Sequence, residues 1–295
     1  MHTRPHFLWR LRSRSLELGA RTLVMGILNV TPDSFSDAGE FFQRDRAVAR
    51  ALQMIEEGAA IIDIGGQSTR PGSKVAETGL PTEEELRRVI PVLEDVLRES
   101  PQVIISADTY KAEVARAALG AGAQIVNDVS ALRWDLEMAS TLAEVQCGVV
   151  LMHTRGRPEE WRTQTASPNI VAEVERDLRA WSDAAVSAGI ARDRILVDPG
   201  FGFGKRFGEN YPLLAGFAEL HGLGFPLLSG TSRKSFIGRT LARNGQDAPV
   251  DERVYGTVAT VTASVLEGAH IVRVHDVKPA VEAAAIADEI LTARA

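Results

Sequence analysis

The chain has one cysteine, Cys147, in 295 residues. It therefore carries no internal disulfide, and it fits a reducing, cytoplasmic compartment. No apolar run approaches the roughly 18 residues of a membrane span. A basic excess is missing too: 33 Lys and Arg against 39 Asp and Glu give a formal net charge of -6. Nucleic-acid-binding domains are usually basic, so that partner class is excluded, as is a membrane. An anionic small molecule is not, because clustered arginines outvote the total locally. The first strand lacks a dinucleotide glycine fingerprint, and no Gly-x-Ser-x-Gly elbow announces a hydrolase. His153 and His275 have no metal-ligand spacing, and one cysteine makes a structural zinc site untenable. Gly200–Lys205, GFGFGK, fails as a phosphate loop, since the spacing is wrong and Arg206 stands where Ser or Thr should bind magnesium. Its glycines instead allow the backbone close to a flat ligand, with Phe203 available to stack. No linker or low-complexity break divides the chain.

What is present is an alternation. Residues 1–21 carry Arg4, Arg10, Arg12, Arg14 and Arg21, which a transit peptide would also contain, but Phe7-Leu-Trp-Arg-Leu alternates like a strand. The expectation is an N-terminal hairpin or cap packing on a barrel formed by 22–295. Strands are expected at Thr22–Leu28, Ala60–Ile64, Val103–Ala107, Gln124–Val126, Gly148–Met152, Arg194–Val197, Phe225–Ser229 and His270–Val274. Helical periodicity falls between them at Asp45–Glu57, from Thr82, at Lys111–Leu119, Leu136–Val145, Val171–Ala188, Tyr211–Leu220 and Arg253–Leu266, and finally at Lys278–Thr292. Thr82 with Glu85 reads as a capping box, and Leu86, Val89, Ile90, Leu93 and Leu97 as that helix's buried face. Three segments, Gly58–Asp63, Gly122–Asn127 and Gly268–Arg273, repeat one template: a helix-ending glycine, an apolar strand, then a polar residue five places on. Strand and helix alternating in this way predict an α/β fold, a single-domain (β/α)8 TIM barrel. The long connections follow the first, second and fifth strands, at the C-terminal face where barrel active sites are built.

Every strand ends in a polar or charged residue: Asn29, Asp63, Asp108, Asn127, His153, Asp198, Lys234 and the pair Arg273 and His275. Arg273 and His275 alternate, so they share a face. With Arg70 and Asn29 they suit a phosphate or diphosphate, which guanidinium binds through paired charge-assisted bonds. A structural ion pair of Arg273 with Asp276 or Asp63 is the plainer alternative. Asp108, Asp198 and Asn127 suit a heterocycle with an amidine-like edge, and Lys234 suits a ring carbonyl or nitrogen.

The segments MGILNVTPDSFSDAG, DIGGQSTRPG, ADTYK, IVNDVSAL, LMH, DPGFGFGK, SRKSFIG and RVHDV occur in this order from about residue 23 to 278. Together they resemble the dihydropteroate synthases. The resemblance implies a (β/α)8 transferase of folate biosynthesis, usually a homodimer. It condenses 6-hydroxymethyl-7,8-dihydropterin diphosphate with p-aminobenzoate to give 7,8-dihydropteroate and diphosphate. Carried over by position, Asp108, Asn127, Asp198 and Lys234 would hold the pterin, with Phe203, Met152 and Gly230 beside and behind it. Asn29 would help hold Mg2+. Arg273, His275 and Thr69 would hold the diphosphate. The amine would lie against Thr69, Arg70, Pro71 and Ser235, under loops that include Phe35 and Asp37. Gln67 stands where the family commonly has Glu, and Ala107 and Tyr110 alter the usual surroundings of Asp108. Two other readings go with the same aspartates: a methyltetrahydrofolate-binding methyltransferase domain, and a paralogue that binds pterin without turnover.

Overall fold

Phe7–Arg10 (β1) and Ser15–Leu18 (β2) form an antiparallel hairpin with Phe7 opposite Leu18 and Arg10 opposite Ser15, in a computed structural model that describes residues 4–31, 40–67 and 79–294. Leu23–Asn29 (β3), Glu40–Glu56 (α1), Ile61–Gly65 (β4), Thr82–Glu99 (α2), Ile104–Asp108 (β5), Ala112–Gly120 (α3), Ile125–Asp128 (β6) and Met138–Val145 (α4) follow. Next come Gly148–Met152 (β7), Ile170–Ser187 (α5), Ile195–Asp198 (β8), Phe207–Ala215 (α6) and Leu228–Ser229 (β9). Ser235–Thr240 (α7), Val254–Leu266 (α8), Ile271–Val274 (β10) and Val277–Ala293 (α9) complete the chain.

The sheet has eight parallel strands in the order β8-β7-β6-β5-β4-β3-β10-β9. A bridge between Val197 and Leu227, with Val197 N donating to Pro226 O at 3.0 Å, joins the two ends and closes the barrel. Strand residues two apart point the same way, so each strand contributes successive layers to the interior. The lowest layer takes one apolar residue per strand: Met25, Ile61, Ile104, Ile125, Val150, Leu196, Leu228 and Ile271. Trp9, Leu11 and Leu18 of the hairpin pack into that layer and plug the barrel's N-terminal end. Trp9 is 1% exposed, and its Nε1 donates to Arg194 O at 2.8 Å. Gly148 is small because Leu11 and Trp9 press on it, with 2.7 Å between an added Cβ and Leu11 Cδ2. The intervening residues, such as Val24, Leu28, Ile62, Ile64, Ile105, Val126, Val149 and Val272, face outward into a second apolar shell beneath the helices. The arginines of the first 21 residues all engage barrel groups: Arg4 pairs with buried Asp288 at 2.7 Å, Arg12 donates to Leu119 O and Arg14 to Gln102 O, while Arg10 and Arg21 meet Asp193 and Glu289.

Several local expectations differ from the structure. Thr82 does not cap α2; Pro81 precedes the helix without a side-chain cap, and Glu85, 1% exposed, pairs instead with Lys111 Nζ at 2.6 Å. The buried face of α2 is Val89, Val92, Leu93 and Val96, rotated from the expected stripe because α2 touches both the sheet and its helical neighbours. The stretch expected as one helix over Tyr211–Leu220 is α6 followed by a tighter turn, Phe217–Leu223, with Gly216 between them. The seventh barrel strand keeps ladder pairing only at Leu228–Ser229, since Pro226 donates no N–H.

Candidate active site

One step along from the apolar layer, the interior turns polar. Two residues beyond Ile61, Ile104, Ile125, Leu196 and Ile271 stand Asp63, Ser106, Asn127, Asp198 and Arg273. Arg273 Nε donates to Asp63 Oδ2 at 2.6 Å, and Asn127 Nδ2 donates to the same oxygen at 2.9 Å. Arg273 Nη2 reaches across to Asp108 Oδ2, also at 2.6 Å. A cation from β10 thus ties together carboxylates of β4 and β5. The sequence alternative of an Asp63 pair is therefore present, whereas Asp276 pairs with Arg233 at 2.8 and 2.5 Å. Asp63 Oδ1 and Ser106 Oγ are buried without a partner among the described residues.

Above this layer lies a cavity of about 570 Å³ at the C-terminal ends of the strands. Asn29, Asp108, Phe203, Gly230, Lys234, Ser235, Arg273 and His275 line it, as do Gln67, Arg233 and Trp161. Asn127 and Asp198 are buried among the polar residues below, and Met152, 5% exposed, is buried beside them at the end of β7. Of the residues singled out from sequence, Phe35, Asp37, Thr69, Arg70 and Pro71 lie outside the described residues.

Burial sets the electrostatics. It pushes the Asp108 carboxyl up to about 7 against the pull of the Arg273 charge. It raises Asp198 too, opposed by the N–H of Gly200, which donates to Asp198 Oδ1 at 2.7 Å, and by Lys234. Burial lowers the Lys234 ammonium to about 7, with Asp198 pulling it back, and its Nζ sits 3.8 Å from the Phe203 ring centre. His275 is pushed down to about 3 by burial and by Arg273, so it is a neutral donor rather than a second cation. Ser232 Oγ accepts from the His275 backbone N–H at 3.1 Å and faces His275 Nδ1 at 3.0 Å. With the Ser232 O–H donating to Nδ1, the imidazole N–H lies on Nε2.

The loop after β8 is braced from below. Lys205 Nζ donates to Gly200 O at 2.8 Å, to His153 Nδ1 at 2.9 Å and to the carbonyls of His153 and Phe203 at 3.3 and 3.4 Å. His153 is fully buried, stacks on Trp181 and meets Asp177 through Nε2 at 3.3 Å. Met152 points inward, so its neighbour His153 points outward, away from the cavity that its place at a strand end had implied for it. Asp128, another strand-end acid, accepts from Ser130 N, Ser130 Oγ and Leu132 N and fixes a turn in which Ala131 and Leu132 adopt positive φ. Ala107 faces the helical shell, and the Tyr110 ring packs edge-on against Trp134 at 5.1 Å, so neither side chain lines the cavity.

Mg2+ takes oxygen ligands and commonly uses one or two protein groups, with phosphates and water completing the shell. Among the described residues the cavity offers the Asn29 amide, the Gln67 amide, whose Oε1 is buried without a partner, and Asp108, whose carboxylate is held by Arg273. That donor set fits an ion carried in by a diphosphate rather than a resident cage. His153, Glu173 and Asp177 also bring ligand atoms within 4.8 Å of one another. Arg155 already holds Glu173 at 2.6 Å and Arg176 holds Asp177 at 2.7 Å, so their charge is compensated outside the cavity.

A family model described as pterin binding enzyme matches residues 25–275. The chain is similar to the dihydropteroate synthase of Synechocystis, with 46% identity over 272 residues covering 92% of this chain and 91% of that one. Among solved structures it is similar to Xanthomonas albilineans dihydropteroate synthase with 4-aminobenzoic acid, at a TM-score of 0.86 and 44% identity over 98% of each chain. The same organism's dihydropteroate synthase in complex with 7,8-dihydropteroate superposes with a TM-score of 0.83 at 41% identity, covering 97% of this chain and 98% of that one.

Proposed function

The chain belongs to the pterin binding enzyme family, among its dihydropteroate synthases, and from that premise we propose how its barrel mouth receives the two substrates. The enzyme condenses 6-hydroxymethyl-7,8-dihydropterin diphosphate with p-aminobenzoate, releasing diphosphate and forming 7,8-dihydropteroate. The observation that carries the residue assignment is the polar layer itself, in which Asp63, Asn127, Asp198 and Arg273 stand directly on an apolar floor, with Arg273 and Asp108 lining the one cavity above it.

In this reading Asp108, Asn127, Asp198 and Lys234 bind the pterin edge, with Met152, Phe203 and Gly230 around the ring. Arg273 and the His275 Nε2–H receive the diphosphate, joined by Thr69. Asn29 would help hold Mg2+, which would supply charge neutralisation of the phosphates. The C–O bond of the exocyclic methylene breaks with both electrons leaving on diphosphate. The cation that remains is shared with the pterin ring. A positive pterin draws Asp108 and Asp198 toward ionisation, and by the same linkage the two carboxylates favour the cation. The lone pair of p-aminobenzoate, lying against Thr69, Arg70, Pro71 and Ser235, then forms the C–N bond. The nitrogen loses one proton to solvent. A neutral aromatic amine needs no strong base, and none is assigned. By the same resemblance Phe35 and Asp37 would help keep water from the cation.

A homodimer is proposed, with the exposed Phe207, Leu241 and Tyr255, at 45%, 40% and 87% of their surfaces, as side chains it would cover. No described helix is long and apolar enough to cross a membrane, and a cytoplasmic location is proposed with the folate pathway.

The assay is dihydropteroate formation from pterin diphosphate and p-aminobenzoate with and without Mg2+. Metal-dependent product, suppressed by a sulfonamide competing for the amine position, is expected. Pterin binding without product would overturn the assignment of turnover.

A further inference from the structure

Two residues at the barrel mouth forgo what their places in the chain favour, and they do so for each other. Arg233, in the loop after β9, holds φ at +55°, the left-handed region that suits glycine. Asp276 occupies the N-cap of α9, where an aspartate usually accepts from the helix's first N–H groups, yet its side chain makes no cap bond. Its two carboxylate oxygens instead accept from the Arg233 guanidinium, from Nε at 2.8 Å and Nη2 at 2.5 Å. Arg233 lines the cavity, as an anion-binding arginine would, but this edge of its fork is already taken.

The neighbours on each side are paired as well. Ser232 Oγ accepts from His275 N at 3.1 Å and donates to His275 Nδ1 at 3.0 Å. Ser232 and Arg233 thus grip His275 and Asp276 through four hydrogen bonds. The ladder between β9 and β10 ends at Ser229 and Val272, so above it these side chains join the two loops. The backbone of Arg233 is fixed from α8 and its approach: its N–H donates to Thr257 Oγ1 and its carbonyl accepts from Arg253 Nη1, both at 3.0 Å. Lys234 has anchors of its own, since its carbonyl accepts from Ile237 N at 3.1 Å and Gly238 N at 3.3 Å. The His275 imidazole, among the described residues, has Ser232 as its one hydrogen-bond partner.

We infer that Arg233 is a positioning residue for the anion side of the site. Clamped to Asp276, it keeps Ser232 against His275, so that the imidazole presents its Nε2–H to the diphosphate. The inference rests on the synthase reading above. In this role the guanidinium serves Asp276 and does not touch phosphate. Removing Asp276 separates the two possibilities. A guanidinium freed from its acid would strengthen an anion site it belonged to, whereas a released loop weakens one that it only positions.

The test measures calorimetric affinity for the pterin diphosphate with Mg2+, and for the same pterin without phosphate, together with the thermal midpoint. Arg233→Gly removes the guanidinium in favour of a residue that tolerates the positive φ, and Asp276→Ala removes its partner. Each is expected to weaken diphosphate binding about 10-fold, the low end for losing a hydrogen bond to a charged group, with the plain pterin within about twofold. The double variant should be no weaker than either single one, because the clamp is lost only once. Arg233→Lys keeps the charge and a donor, so it should recover part of the affinity, and it carries the test if Arg233→Gly does not fold. Tighter diphosphate binding by Asp276→Ala, additive losses in the double variant, equal losses for both pterins, or a lowered midpoint with unchanged affinity would each overturn the clamp and leave the synthase reading intact. A parent enzyme that binds neither pterin would overturn that reading instead.

Discussion

Arg273 Nη2 donates to Asp108 Oδ2 at 2.6 Å, linking a residue assigned to the diphosphate with one assigned to the pterin. Arg273 also holds Asp63 at 2.6 Å, and through it the Asn127 amide at 2.9 Å. The two halves of the proposed site therefore share one buried charge network. A change on the anion side propagates to the pterin side.

Arg273→Ala should accordingly do two things. It removes the guanidinium offered to the diphosphate, and it leaves Asp63 and Asp108 as uncompensated buried acids. Breaking a buried pair by removing one partner costs about 3–5 kcal/mol, so the thermal midpoint should fall markedly. Calorimetric binding should show losses for pterin with and without its diphosphate, the larger loss falling on the diphosphate. Equal losses would remove Arg273 from the anion site and leave it as a structural brace.

Asp198→Asn separates charge from geometry at the other end of the layer. An asparagine can keep the Oδ1 acceptor that Gly200 N reaches at 2.7 Å, so the loop should stay in place. Only the ionised acceptor for the pterin is lost. Hydrogen bonds to charged groups contribute about 1.5–3 kcal/mol, so pterin affinity should drop roughly 10- to 150-fold with little change in thermal midpoint. Unchanged affinity would refute the role.

How much of this was legible in the sequence depends on strand parity. The apolar-polar steps Ile61 to Asp63, Leu196 to Asp198 and Ile271 to Arg273 are visible as strand endings, and they mark the layer correctly. The same reading placed His153 with them, although it follows inward-facing Met152 and so points out toward Asp177 and Trp181. Trp161 was invisible because its partner Phe203 is distant in sequence and the contact is an edge against a ring face. Lys205 was legible only as the end of a glycine motif, since it bonds mainly to backbone carbonyls, which carry no sequence signal. The Thr82–Glu85 capping pattern misled for a related reason: Lys111, from a different helix connection, competes for Glu85 and wins.

His270 gives a pH dependence whose sign is fixed by its bonds. Its Nδ1 accepts the Leu227 N–H at 3.0 Å and its Nε2 reaches Pro5 O at 2.9 Å, an arrangement that needs the neutral ring. Burial pushes it down to about 4, below the usual 6.5. Between those values the unfolded chain binds a proton that the folded chain does not, so stability falls as pH drops from 6.5 toward 4. The slope is about 1.4 kcal/mol per pH unit for this group. Buried Asp108 and Asp128, raised to about 7 and 6, act in the opposite direction, so the parent curve alone is uninformative. The difference between parent and His270→Gln isolates the histidine. Relative to the parent, the variant should gain about 2 kcal/mol between pH 7 and pH 5 in denaturant unfolding. A pH-independent difference would show that His270 titrates normally.

Lys205 tests whether the brace under the substrate loop is only structural. Its ammonium joins Gly200 O, Phe203 O, His153 O and His153 Nδ1, fixing both the turn that orients Asp198 and the residue that carries the Phe203 ring. Lys205→Met keeps much of the length and removes the donors. Each carbonyl left buried without a partner costs about 1–3 kcal/mol, so the thermal midpoint should fall. A structural role ends there. Burial lowers the Lys205 ammonium to about 7, and below that pH its positive charge also holds the Asp198 carboxyl lower than burial alone would set it. Without that charge Asp198 must bind protons at higher pH. The acid limb of kcat/KM for the pterin diphosphate should therefore move to higher pH in the variant, while the unprotonated plateau is still reached on the alkaline side. A lowered midpoint with an unmoved acid limb would confine Lys205 to packing. A moved limb would show that the charge beneath the loop tunes the acid that meets the pterin.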